Sequence, residues 1–249
     1  MASKACCELA PVSAEYVNTG RWEMVAGVNT YIVGNEKAEK AIIDIYDVFG
    51  VVSQTIQGAD RLAASTSALV FLPDLFDGKP LDKSLVPTDT EEKQRQVMAF
   101  VAGPANIATN LEKVLKIREE IGRRWLAVED HIGIFGLCWG GKVAILACGN
   151  DNENKGRRFN VSGTAHPGQL TIRKRRLEVK DAEATNVPHI LLASPGEPED
   201  VVAQYKEVET YSTMFHGWMG ARANLEDPAN LKEYERGYKQ TAEFFSKYL

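Results

Sequence analysis

The sequence predicts an α/β fold in which a mostly parallel central sheet carries helices on both faces. Two observations lead there. Short apolar runs of strand length, such as Ala41-Ile42-Ile43-Asp44-Ile45-Tyr46 and Pro188–Ala193, alternate with stretches of helical periodicity. One such run, Ile132 to Phe135, leads straight into Gly136-Leu137-Cys138-Trp139-Gly140-Gly141 and then into apolar, helix-like sequence. That is a strand–turn–helix with glycines gathered around one cysteine.

In chain order, Trp22 to Ile32 alternates polar and apolar residues and reads as early β structure around Gly27. Ala41 to Tyr46 is apolar nearly throughout, as a strand buried on both faces should be. After Asp47-Val48-Phe49-Gly50 the spacing predicts a helix over Ser53 to Ala64. Ala68 to Leu72 is the next strand, stopped by Pro73-Asp74, and 77–90 reads as a surface loop rich in Asp, Lys, Pro and Thr. Helices are expected around Glu91–Val101 and Ile107–Gly122, parted by Gly103-Pro104. His131–Phe135 is the strand into the cysteine turn, and Lys142–Cys148 begins the helix out of it. Asn150 to Lys155 reads as a loop, Val161–Ala165 and Pro188–Ala193 as strands, Glu199–Glu209 as a helix and Tyr211–Phe215 as a last short strand. Leu231 to Leu249 closes the chain as an amphipathic helix. No repeat, low-complexity tract or linker divides the sequence, so residues 1–249 are expected to form a single domain.

The composition narrows the function classes. Hydrophobic residues make up 44% and charged residues 25%, enough apolar side chain for a sizeable core. A net charge of −5 argues against nucleic acid or an anionic membrane as the main partner. The basic run Arg173-Lys174-Arg175-Arg176 reads as a solvated face. No apolar run approaches the roughly 20 residues that span a bilayer, and Met-Ala-Ser-Lys-Ala-Cys-Cys lacks the apolar core of a secretory signal. Four cysteines do not make a disulfide framework in a chain of this length, and adjacent Cys6 and Cys7 could pair only with strain. Cys148 reads as a packed helical residue. A reducing cytoplasm is the expected location, and it would keep Cys138 available as a thiolate. The four histidines show no metal-binding spacing, so neither metal nor cofactor is expected.

Gly-x-Cys-x-Gly at a strand–helix junction is the pattern of a nucleophile elbow, with cysteine where serine usually stands. The turn would project the sulfur into a cleft and free the next backbone N–H for an oxyanion. A thiol nucleophile needs a base, and histidine is the usual one. His131 precedes its strand, at the wrong end; His189 lies inside an apolar strand and reads as structural; His166 follows a strand on the right face. His216 alone completes the order nucleophile, acid, histidine of the α/β-hydrolase fold well, with His166 the lesser candidate. The acid should follow the Pro188–Ala193 strand, where Glu197, Glu199 and Asp200 compete. Loop position favours Glu197, since Glu199 and Asp200 resemble a helix first turn. The backbone N–H groups of Val48 and Trp139 are the expected oxyanion donors.

These residues resemble the dienelactone hydrolase family, cysteine hydrolases of the α/β-hydrolase fold, and in particular its eukaryotic, fungal-type branch. The resemblance covers nearly the whole chain through Asp47-Val48-Phe49-Gly50-Val51, Asp60-Arg61-Leu62-Ala63, Pro73-Asp74-Leu75-Phe76, the cysteine turn and His216-Gly217-Trp218. It implies a Cys–acid–His triad on Cys138, a loop carboxylate and His216, with Asp47 contacting the resting thiol. It also implies an arginine for a substrate carboxylate; Arg222 is the candidate, a surface ion pair being its other reading. Tyr46 and Trp218 join Asp47 and Arg222 as expected substrate contacts. One departure is visible, because the family usually has aspartate where this chain offers Gly196-Glu197. The expected activity is hydrolysis of an activated ester, lactone or thioester by a monomer or simple homodimer. The rivals are release or cyclisation of a polyketide-like acyl chain, and a catalytically silent ligand-binding protein.

Overall fold

A computed structural model describes residues 10–12, 15–149, 158–167 and 178–249. The expected loop at Asn150–Lys155, the basic run at 173–176 and the Cys6-Cys7 pair lie outside the described residues. Eight strands form one sheet: β1 (Arg21–Val25), β2 (Val28–Val33), β3 (Ala41–Ile45), β4 (Leu69–Pro73), β5 (Ile132–Leu137), β6 (Val161–Ala165), β7 (His189–Ala193) and β8 (Glu207–Thr210). Their order is β1-β2-β4-β3-β5-β6-β7-β8. β1, β2 and β4 are antiparallel neighbours, and every pairing from β4 through β3 to β8 is parallel. The central strands β3 to β7 are buried at every position, whereas the edge strands β1 and β8 keep exposed residues. Strands covered on both faces lose polar alternation, which is why they read as unbroken apolar runs.

The helices are α1 (Ser53–Thr66), α2 (Glu91–Ala102), α3 (Ile107–Arg124), α4 (Trp139–Ala147), α5 (Val179–Glu183), α6 (Glu199–Val202) and α7 (Pro228–Tyr248). The two-residue period of β5 sorts them between faces. Phe135 points to α7, with ring centroids 6.3 Å from both Tyr238 and Phe245. Gly136, one residue on, backs onto the first turn of α4. α1 packs beside α7, and α3 beside α4. Among the described residues no helix is long and apolar enough to cross a membrane.

Two expected elements at the C-terminal side are corrected. The helix foreseen over Glu199–Glu209 stops at Val202, and β8 follows at Glu207–Thr210. Glutamates favour helix locally, but pairing with β7 places Val208 opposite Leu191 and leaves Glu207 in solvent on an edge strand. Tyr211–Phe215 is accordingly not a strand: the Met214 N–H closes a turn on the Tyr211 carbonyl at 2.9 Å. α4 also starts earlier than Lys142, and α5 had no sequence signal.

A buried amide joins distant parts of the chain. Gln54 Nε2, in α1, donates to Val12 O (2.9 Å), Ala223 O (3.1 Å) and Ala221 O (3.5 Å). The Val12 N–H donates to Ala221 O at 3.0 Å. Residues 10–12 are thereby laid against the loop that follows β8.

Candidate active site

β5 ends at Leu137 and α4 begins at Trp139, so Cys138 alone makes the turn, with φ 53° and ψ −112°. A residue with a Cβ pays roughly 1–3 kcal/mol for such a backbone and keeps it only where its surroundings enforce it. Here the Cys138 N–H donates to Ala165 O on β6, and its carbonyl accepts the Gly141 N–H, both at 3.1 Å. A Cβ on Gly136 would lie 2.2 Å from Gly140 O, and one on Gly140 would lie 2.4 Å from Ile45 O and 2.5 Å from Tyr46 O. Without those side chains the first turn of α4 sits flat against β5 and the end of β3. The sulfur is thereby held at the N-terminus of α4, the positive end of its dipole.

His216 arrives from the loop after β8, swung inward at Gly217 (φ 98°). Its Nε2 lies 3.1 Å from Cys138 Sγ. Its Nδ1 lies 3.5 Å from Glu197 Oε1, an ion-pair distance with both side chains buried. Glu197 is carried by the loop after β7, and the Ser194 hydroxyl donates to its Oε1 at 3.0 Å. Glu199 and Asp200 are exposed in the first turn of α6. The other histidines fall elsewhere. His131 is exposed before β5. His189, in β7, meets Ser162 Oγ through Nδ1 at 2.6 Å. His166, at the end of β6, is fully buried with its ring centroid 5.1 Å from that of His216.

The N–H of Trp139 is the first of α4, and among the described residues neither it nor that of Val48 meets an acceptor. The Val48 carbonyl accepts the Leu81 N–H at 2.9 Å, which fixes its peptide. Asp47, expected against the thiol, is fixed by two backbone groups. Its Oδ1 accepts the Phe49 N–H and its Oδ2 the Ala221 N–H, each at 2.9 Å. The short side chain ends on nearby backbone, as aspartate in turns does, and so ties the β3 loop to the His216 loop. Burial raises the Asp47 carboxyl pKa, while the Arg222 guanidinium pulls it back.

Arg222 is buried, its guanidinium 4.9 Å from the Phe49 ring centroid, so the surface ion-pair reading is overturned. Tyr46 and Trp218, expected to face substrate, have no exposed surface in this structure. The Tyr46 hydroxyl accepts the Phe76 N–H at 2.9 Å and donates to Asp74 at 3.3 Å. Trp218 is stacked on Tyr211 with centroids 4.3 Å apart. The large aromatics beside the Cys138–His216 pair are packed into the core here. The Trp139 indole instead reaches the α2–α3 junction, donating to Ala105 O at 3.0 Å and packing on Phe76 at 4.7 Å. Ser194 and Ala105 had no sequence signal beyond their places beside the acid and the helix-breaking Gly103-Pro104. Among the described residues no three His, Cys, Asp or Glu side chains converge as a metal site.

The fold agrees with what comparison finds. The family model described as dienelactone hydrolase matches residues 28–249. Two uncharacterized AIM2 family proteins of Schizosaccharomyces pombe are similar over most of their length. One is 33% identical over 261 residues, covering 97% of this chain and 98% of the relative. The other is 30% identical over 241 residues, covering 91% and 90%. Among solved structures, a dienelactone hydrolase-like promiscuous phosphotriesterase from metagenomic libraries shares the fold. It has a TM-score of 0.66 at 12% identity, covering 92% of this chain and 98% of the other.

Proposed function

The chain belongs to the dienelactone hydrolase family, and from that premise we propose that it hydrolyses an activated ester, lactone or thioester through an acyl-cysteine. The observation that carries this reading is the buried contact of 3.1 Å between Cys138 Sγ and His216 Nε2 at a strained helix N-terminus. Cys138 attacks the carbonyl carbon, and the oxyanion is received by the N–H groups of Val48 and Trp139. Glu197 steadies the His216 imidazolium and its tautomer, supported by its buried position 3.5 Å from Nδ1, whereas Glu199 and Asp200 are exposed. Protonated His216 gives its proton to the leaving group, and water then releases the acid. Good leaving groups, as in thioesters and enol-lactones, suit a thiolate best. Arg222 is placed to attract a substrate carboxylate only at long range, because its guanidinium is committed beside Asp47 and Phe49. No cofactor enters these steps, and a reducing cytoplasm would keep the thiol active.

The test is hydrolysis of p-nitrophenyl acetate together with alkylation by iodoacetamide. Turnover that is lost in step with alkylation of Cys138 supports the reading. A protein that neither turns over nor alkylates Cys138 faster than Cys148 is a silent ligand-binding member of the fold.

A further inference from the structure

Resting on the proposed function, we propose that His166 holds, jointly with His216, the water molecule that hydrolyses the acyl-cysteine. His166 has no exposed surface, yet among the described residues neither ring nitrogen meets a hydrogen-bond partner from another residue. Buried polar atoms without partners are costly and uncommon, and the contrast within this fold is direct: buried His189 does find one, in Ser162. The backbone of His166 is also held in the left-handed region, at φ 39°, with its N–H fixed on Leu192 O at 2.8 Å. The residue before it, Ala165, accepts the Cys138 N–H. A strained, anchored, unpartnered imidazole therefore stands one residue from the strand bond that fixes the nucleophile.

Its neighbours show what it serves. The rings of His166 and His216 meet edge to face at 68°, and the Trp218 ring lies 6.5 Å away. Trp218 Nε1 is likewise buried without a partner. A buried water needs two to four polar partners, and these groups supply them within reach of the general base. Burial first, then His216 and Arg222, push the His166 pKa well down, so the ring stays neutral. A neutral ring offers one donor and one acceptor, and adds no charge against the imidazolium that forms on His216. In the step itself the water oxygen bonds to the thioester carbon as its proton passes to His216 Nε2. The C–S bond then breaks, its electron pair stays on Cys138 Sγ, and the imidazolium proton goes to that sulfur. His166 exchanges no proton; it aims the water.

Stopped-flow hydrolysis of p-nitrophenyl acetate, with intact-mass analysis during turnover, separates acylation from deacylation. His166→Phe should leave the acylation rate within about twofold while the steady-state rate falls by about tenfold or more, with acetyl-Cys138 accumulating. His166→Asn, whose residue tolerates left-handed backbone and keeps a donor and an acceptor, should lose less. Should the phenylalanine variant not fold, the asparagine variant decides, since it too must slow deacylation alone. Acylation and deacylation slowed by the same factor, or a steady-state rate within about twofold of wild type, overturns the inference and leaves the proposed function standing. A wild-type protein that never acylates Cys138 overturns both.

Discussion

One helix, α4, carries a cysteine at each end: Cys138 caps its N-terminus and Cys148 its C-terminus. Both thiols are buried, and each belongs to a cluster with a buried histidine, His216 for the first and His189 through Ser162 for the second. The residue types match, and the chemistry does not. At the N-terminus the positive end of the helix dipole lies at the sulfur, a glycine-cleared turn aims it, and Glu197 stands behind the histidine. At the C-terminus the dipole is reversed, and burial pushes the Cys148 thiol up to about 12 and the His189 imidazole down to about 3. Among the described residues no carboxylate pairs with His189. Under the proposed function, a Cys–His cluster becomes a nucleophile through backbone direction, helix polarity and a third charged group, and composition alone does not decide it.

The largest way to sharpen this contrast is to exchange the cysteines for alanine. Cys138→Ala should lower p-nitrophenyl acetate hydrolysis by about 10⁴-fold or more. Cys148→Ala should leave the rate within about twofold and cost ~1 kcal/mol in urea unfolding. Equal losses from the two would erase the distinction. Next comes the charged group. Glu197→Gln should reduce the steady-state rate by about 10²- to 10⁴-fold, whereas Glu199→Gln and Asp200→Asn should change it by less than about twofold. Loss confined to Asp200→Asn would move the acid to α6.

A smaller effect follows from the turn. Gly140→Ala puts a methyl group against the carbonyls of Ile45 and Tyr46. It should cost about 3 kcal/mol, read as a fall of about 6–12 °C in melting temperature. Unchanged melting would mean that the turn has slack. The smallest effect concerns His189, neutral in the folded protein down to about pH 3 and protonated below about 6.5 when unfolded. The unfolded chain binds the extra proton, so stability falls as pH drops through that window, and buried His166 acts in the same direction. His189→Gln removes one share, so relative to wild type it should gain about 2 kcal/mol between pH 7 and pH 5 in denaturant titrations. A pH-independent difference would show that His189 titrates normally in the fold.

The core strands were legible because burial on both faces writes itself as Ile42-Ile43 or Leu191-Leu192, and the elbow because Gly136 and Gly140 have no other local use. The edge was not. Glu207 and Glu209 favour helix over a short window, and only pairing with β7 makes them a strand. Within the site, the pairing of Cys138, Glu197 and His216 followed from which loops end on the same side of a parallel sheet. Side-chain direction did not follow. Nothing in the sequence says that Asp47 turns back onto Phe49 and Ala221, that Tyr46 braces Asp74 and Phe76, or that Trp218 lies under Tyr211. Those outcomes depend on packing between segments far apart in the chain.

The Gln54 amide has a mechanical meaning. By gripping Val12 and Ala223 together it makes residues 10–12 a tether on the loop that starts at His216. Tension applied from the N-terminal side reaches that loop before it reaches β1, so a pulling experiment should silence the enzyme at a lower force than it needs to unzip the first hairpin. A tag or surface linkage at that end acts on the reaction centre through the same tether.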